Sequence, residues 1–367
     1  MRTILTLALL GAGASTSLSA GCASAAPPPQ AGPKPAGRAE GVVLTGDPKG
    51  GTAIASCDAT GRWQAGGASV DHWIYEPETK RRVAPMDVGR SFSLFRGSLP
   101  FPYFSWQPSE FQINQLVYPV GDGFAAMYHV MNHGENAKAC RLFVGLAGDA
   151  GKVDGRSLRS EGKPVLTTAD AMSTSKDGDG GRPSLAFDLL IEPGTSKFIF
   201  VTTPDLDGKV PQDALDLAAA SWERKLGERR LVVPDKALMT SYYADLAGAA
   251  LGVAGCAENA AKVEAKLVRK EGDALRLFPE LPESWVTEAI EAVGIATPFG
   301  PLALKYEGAF NTPSYELGAD CKPPGGFLIK FPEKLKAKID GKPAEAVDGF
   351  LRVPAGSRKV ETVRASE

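Results

Sequence analysis

Between Val42 and Pro204 the chain is a succession of short apolar or alternating runs broken by Gly, Asp, Asn and Pro. That is the pattern of antiparallel strands joined by tight turns. Phe111 to Tyr118 alternates, Gly121-Asp122-Gly123 turns the chain, and Phe124 to Met131 returns as the partner strand. Asn132-His133-Gly134-Glu135-Asn136 supplies the next turn. Arg141 to Leu146, Ser184 to Ile191 and Lys197 to Thr203 read as further strands, with Glu192-Pro193-Gly194 between the last two. Together they predict an N-terminal antiparallel β-sandwich over residues 42–204.

The period then changes. After Pro211-Gln212-Asp213, the residues Leu215, Ala218, Ala219, Trp222 and Leu226 recur at helical spacing and stop at Gly227. A second helix is expected from about Asp235, as its cap, to Val253, and a third from about Ala257 to Lys270. Leu275-Arg276-Leu277-Phe278 reads as a helix end, followed by a Pro-punctuated turn that holds Trp285. Strands return at Leu302 to Glu307, Gly326 to Phe331, Lys336 to Ile339 and Phe350 to Val353, with Asp340-Gly341-Lys342 and Asp348-Gly349 as hairpin signals. The fold class is therefore mainly β with a short helical segment of two or three helices (205–272) and a C-terminal β-sandwich-like domain (273–367).

The first residues add an address. Arg2 gives a short positive region and Ile4 to Ala12 an apolar stretch too short to span a bilayer, as in an export signal. Ser19-Ala20-Gly21-Cys22 resembles a bacterial lipobox, which would make residues 1–22 the signal and Cys22 the lipidated N-terminus. Simple cleavage after Ala23-Ser24-Ala25 is the alternative, giving a soluble periplasmic or secreted protein. The tract 23–41 is rich in Pro and Ala, favours polyproline II and reads as a tether. With 43% hydrophobic and 23% charged residues and a net charge of -2, nothing calls for nucleic acid or an acidic membrane surface. Contact with a membrane is expected through the lipid anchor only.

Four cysteines follow Cys22, namely Cys57, Cys140, Cys256 and Cys321, and an even number in an exported chain invites disulfides. Pairing Cys57 with Cys140 and Cys256 with Cys321 keeps each bridge within one half of the chain; buried thiols are the alternative. No pair has CxxC spacing and the chain holds 3 histidines, so neither a metal site nor a cofactor is read from it. His129 and His133 fall on a strand and a turn, not on one helix face. Asp177-Gly178-Asp179-Gly180-Gly181 lacks the distal glutamate of a calcium loop and reads as a polar loop.

Several of these segments resemble one family. Trp222-Glu223-Arg224-Lys225-Leu226 with Val232-Val233-Pro234-Asp235, the Leu275 to Trp285 stretch opening into Thr297-Pro298-Phe299-Gly300, and Gly325 to Gly356 are similar to glycoside hydrolases built on an (α/α)6 toroid. In that family an N-terminal β-supersandwich leads through a linker into the helical barrel, and a C-terminal β-domain follows. Here roughly 38 positions separate Asp235 from Asp273, room for two or three average helices of about 10–14 residues and not for twelve. The resemblance therefore implies the flanking β-domains without the catalytic barrel that supplies the two carboxylates of glycoside hydrolysis.

Leu99 to Pro108 is the candidate binding surface, because sugars stack on aromatic rings and Phe101, Tyr103, Phe104 and Trp106 are held there among prolines. Trp63, Trp73 and Tyr75 would extend it. Packing of these rings between domains is the competing reading. No catalytic residue is assigned, although Glu280 and Glu283 beside Trp285, and Glu76, Glu78 and Glu110, are the carboxylates a remodelled glycosidase would use. The leading expectation is an exported, lipid-anchored envelope protein that binds a glycan or an envelope protein without catalysis. A remodelled glycosidase and a structural lipoprotein are the alternatives.

Overall fold

The computed structural model describes residues 42–364 apart from 50–51, 66, 148–150, 175–177, 310–311 and 332–334. The export signal, Cys22 and the proline-rich tract lie outside the described residues. Among the described residues the fold is mainly β, with three α-helices and four sheets. In the first sheet the strands lie in the order Val43–Asp47, Thr52–Cys57, Trp63–Ala65, Ala68–Glu76, Lys138–Leu146 and Ser184–Ile191, with Arg81–Val83 also paired to Ala68–Glu76. The second runs Gly151–Asp154, Ser157–Ser160, Lys163–Thr167, Ser196–Thr202, Gly123–Asn132, Phe111–Val120, Leu99–Trp106 and Arg90–Phe95.

These two sheets face one another across one core. Trp63, Val70, Ile74, Leu142, Val144 and Phe187 of the first sheet meet Phe104, Trp106, Phe124, Tyr128 and Val130 of the second. The expected hairpin forms in full, Phe111 pairing with Asn132 and Val120 with Gly123 across a two-residue turn. Asn132 fixes the next turn, since its amide nitrogen donates to the carbonyls of Asn136 and Ile191 while its oxygen accepts from the Gly134 N–H. Chain connections after Asn132 and after Ile191 cross between the two sheets, which is how consecutive strands come to face rather than pair.

Helix α1 is Ala214–Leu226, α2 is Lys236–Ala250 and α3 is Cys256–Leu267. Asp235 caps α2 by accepting from the Leu238 N–H at 2.9 Å, as its sequence position predicts. α2 buries residues all round rather than one stripe, because it lies between two cores. Ala247 and Leu251 join Leu116, Tyr118 and Trp222 against the second sheet, while Tyr242, Tyr243 and Leu246 join the C-terminal core. Trp222 on α1 is fully buried and its indole N–H donates to Gly46 O at 2.9 Å. Truncating it would cost roughly 3–5 kcal/mol.

The C-terminal part contains the third sheet, ordered Arg230–Val232, Ala289–Ile295, Leu302–Glu307, Ser314–Leu317, Lys359–Arg364, Leu335–Ile339 and Lys342–Ala344. The fourth is Val268–Glu271, Ala274–Leu277, Phe327–Lys330 and Phe350–Val353. Here one expectation fails. Leu275 to Phe278 does not end a helix: α3 stops at Leu267, and Val268–Glu271 and Ala274–Leu277 form a tight hairpin around Gly272 and Asp273. Leu275 to Leu277 then run parallel to Phe327 to Ile329. β-branched Val268 takes extended backbone, and Gly272 has the positive φ of 63° that the turn needs.

The expected disulfides are also absent. Cys57, Cys140, Cys256 and Cys321 are all buried thiols. Cys57 and Cys140 share the first sheet but are separated by three strand spacings and several residues along the strand, on the order of 20 Å, against a bridgeable Cα separation of about 7 Å. Cys256 is packed under Gly248 of α2, where a Cβ would lie 2.5 Å from its sulfur, whereas the Cys321 sulfur lies 3.4 Å from Thr297 Oγ1. Burial raises the thiol pKa of Cys57, Cys140 and Cys321, that of Cys140 to about 12.

Candidate functional site

The aromatic run chosen from the sequence is a core strand. Phe101 and Phe104 expose 0% and Trp106 1% of their surface, and Tyr103 is half-buried. Alternation sends Phe104 and Trp106 into the sandwich and Phe101 and Tyr103 under α1 and α2, so both faces are covered from Leu99 to Phe104. Rings so enclosed present no stacking face to a sugar. Trp63 is likewise in the sandwich core. Of the suggested carboxylates, Glu280 pairs with Arg269, Glu76 accepts from Thr79, and Glu110 pairs with Lys138, on which Glu76 and Glu78 also act.

Trp73 and Tyr75 lead elsewhere. Along Ala68–Glu76 the residues Val70 and Ile74 enter the core, so Asp71, Trp73 and Tyr75 point to the outer face of the first sheet. There Trp73 stacks on Phe143 of the neighbouring strand, with centroids 5.3 Å apart and planes 10° from parallel. The Trp73 N–H donates to Gly178 O at 2.9 Å, which ties the 178–183 segment over the sheet. Arg82, from the adjoining short strand, lies over the other side of the indole with its guanidinium carbon 4.3 Å from the ring centroid.

Two more arginines complete a cavity of about 230 Å³ lined by Thr60, Arg62, Asp71, Arg82 and Arg182, with the 84–86 turn as its rim. Arg62 grips Asp71 with both arms of its fork, Nε donating to Oδ1 at 2.7 Å and Nη2 to Oδ2 at 3.3 Å. Arg182 Nη1 donates to the same Oδ2 at 3.5 Å. The Asp71 hydrogen bond and charge raise the pKa of Arg62. That of Arg82 is lowered, first by desolvation against the protein wall and then by the charge of Arg182.

Among the lining residues three guanidiniums thus stand around one carboxylate, and two of them are hydrogen-bonded to it, which leaves donors that an anionic ligand would match. Asp87 and Asp179 also act on Arg82, and Asp58 on Arg62. Gly180 makes the packing over Arg82 possible, because a Cβ there would clash with Arg82 Nη1 and its φ is 67°. Beyond the segment lies a second cavity of about 510 Å³, which shares Arg182 and adds Lys152, Ser173, Thr174 and Ser184.

Little along the chain signals this site. Arg62, Asp71, Arg82 and Arg182 come from four separate elements, and each alone reads as an ordinary solvated charge. Trp73 is the one member that drew notice, as an aromatic platform rather than as the floor beneath an arginine.

His72, next to Asp71, borders the cavity, but its ring lies between the sheets against Phe104, Trp106 and Tyr128 at centroid distances of 5.9, 5.6 and 5.4 Å. Among the described residues neither of its ring nitrogens has a hydrogen-bond partner, and burial lowers its pKa to about 4.

No family model and no curated protein matches the chain. Among solved structures, a polysaccharide lyase matches over 88% of this chain and 46% of its own at 11% identity, with a TM-score of 0.23. A family GH92 α-mannosidase from Bacteroides thetaiotaomicron matches over 41% of this chain and 25% of its own at 14% identity, with a TM-score of 0.14. The chain spans less than half the length of either. Both are carbohydrate-active enzymes by name, and likenesses this loose leave the arginine cavity as the ground for a functional reading.

Proposed function

We propose that this chain is a non-catalytic binding protein of the cell envelope that holds an acidic saccharide, by its carboxylate, in the cavity of Arg62, Arg82 and Arg182. The observation that carries the reading is the gathering of three guanidiniums in one recess walled by Trp73 and the 178–183 segment, two of them hydrogen-bonded to Asp71 and the third laid over Trp73. Guanidinium forks match carboxylates in two-point geometry, and Arg62 already displays that geometry on Asp71. Arg82 and Arg182 supply the corresponding donors to a ligand. The choice of a sugar acid among carboxylates is supported by the similarity of the sequence to glycoside hydrolases. Export and lipidation at Cys22 belong to the same proposal and are supported by the N-terminal apolar stretch and the lipobox-like Ser19 to Cys22.

The test is calorimetric titration of the protein with trigalacturonate and with neutral maltotriose as control. Saturable binding of the acid alone, weakened about tenfold or more in Arg82→Ala, is expected. Equal binding of both sugars, or no response to the acid, sinks the reading.

A further inference from the structure

The opposite outer face of the sandwich has a different chemistry. In the second sheet Phe111, Ile113, Val117, Tyr128, Val130, Ile199 and Val201 enter the core, so the alternate residues face outward. At one end these are Leu116, Tyr118 and Ala125, covered by the helices. Beyond that cover the register aligns Ser91, Ser105, Asn114, His129 and Phe198 in one row across five strands. Gln112 and Met131 lie opposite each other in the next row. The first row spans about 19 Å, four strand spacings, and neither row contains Asp, Glu, Lys or Arg.

Its members are prepared for a polar but uncharged ligand. Phe198 is 49% exposed and stacks on His129 with centroids 4.2 Å apart and planes 4° from parallel, which fixes its ring at the end of the row. His129 is held neutral by partial burial, its pKa lowered. Gln112 Nε2 donates to Ser105 Oγ and to Asn114 Oδ1, both at 3.3 Å, and its Oε1 is hydrogen-bonded to His133 Nε2 at 2.9 Å. The amides and hydroxyls are therefore braced against one another on central strands, beside an exposed aromatic ring.

We propose that this face binds a neutral oligosaccharide, with Phe198 taking the apolar face of one sugar ring and Ser105 and Gln112 meeting hydroxyls of its neighbours, while the buried Asn114 braces Gln112 from beneath. Each sugar presents C–H surface on one side and hydroxyls at its edge, and the row offers a ring and amides in that combination. The lack of formal charge selects against the acidic ligand of the arginine cavity, so the two sites stand on separate residues and opposite faces. A chain carrying both would engage two polysaccharides, or two segments of one, at once.

The experiment applies the full protein and its Phe198→Ala, Gln112→Ala and Arg82→Ala variants to an array of uncharged glycans, followed by calorimetry with the best-retained one. The expected result is saturable binding by the wild type, at least tenfold weaker in Phe198→Ala and weakened in Gln112→Ala, with Arg82→Ala unchanged. Phe198 is a surface residue, and an unchanged melting temperature shows that its variant is folded. Retention of no uncharged glycan overturns the proposal, as does binding that survives Phe198→Ala or is abolished by Arg82→Ala.

Discussion

The guanidinium of Arg82 rests 4.3 Å above the indole of Trp73, whose far face stacks on Phe143. This three-layer stack turns an exposed arginine into a fixed donor. Arg82→Lys keeps the charge but loses the planar fork and much of the stack. It should weaken trigalacturonate binding roughly tenfold while leaving the unfolding free energy within about 0.5 kcal/mol of wild type. Parallel titration and urea unfolding of the two proteins check this.

Gly180 should be intolerant of a methyl group. With φ at 67° and the added carbon in clash with Arg82 Nη1, Gly180→Ala must either move the 178–183 segment or push the arginine off its ring. The expected cost is about 1–3 kcal/mol of stability together with loss of anion binding. Wild-type affinity in this variant would show that Arg82 is not held in place from above.

His72 makes the sandwich acid-sensitive. Its folded pKa of about 4 lies below the ordinary 6.5, so on acidification the unfolded chain takes up a proton before the folded one. Stability is complete above pH 6.5, falls as the pH drops towards 4 and levels off below it, a loss of about 3 kcal/mol from this group. Its charged neighbour Asp71 opposes the shift, while Phe104, Trp106 and Tyr128 on the facing sheet offer it no charge. Urea midpoints at pH 7.5 and 4.5 should diverge in the wild type and converge by most of that amount in His72→Leu.

The legible parts of the fold were those in which local pattern and tertiary environment agree. The Phe111 to Asn132 hairpin alternates around a Gly-containing turn, and Asp235 stands where a helix cap belongs; both form as read. Leu275-Arg276-Leu277-Phe278 failed because a short apolar run fits helix and strand alike, and its parallel partner Phe327 to Ile329 lies far along the chain. Phe101 to Trp106 misled for a related reason. A strand buried on both faces is aromatic throughout, and in sequence that looks the same as an aromatic surface. The arginine cavity had no sequence signature, since only the order of strands in the first sheet and the fold-back at Arg182 bring its charges together.

The four core cysteines should behave as thiols shielded by packing. Cys57, Cys140, Cys256 and Cys321 are buried, so a thiol reagent should react with them slowly in the native protein and with all four after unfolding without reductant. Unfolded protein in which these four remain unreactive would instead indicate disulfides.

Whether Arg62, Arg82 and Arg182 form a ligand site is decided by titrating trigalacturonate into the wild type and each arginine-to-alanine variant, at low and at raised salt. The arginine cavity predicts saturable, salt-weakened binding to the wild type and a loss of about tenfold or more in Arg82→Ala and Arg182→Ala. Binding that is absent from the wild type, or indifferent to both substitutions, would contradict it.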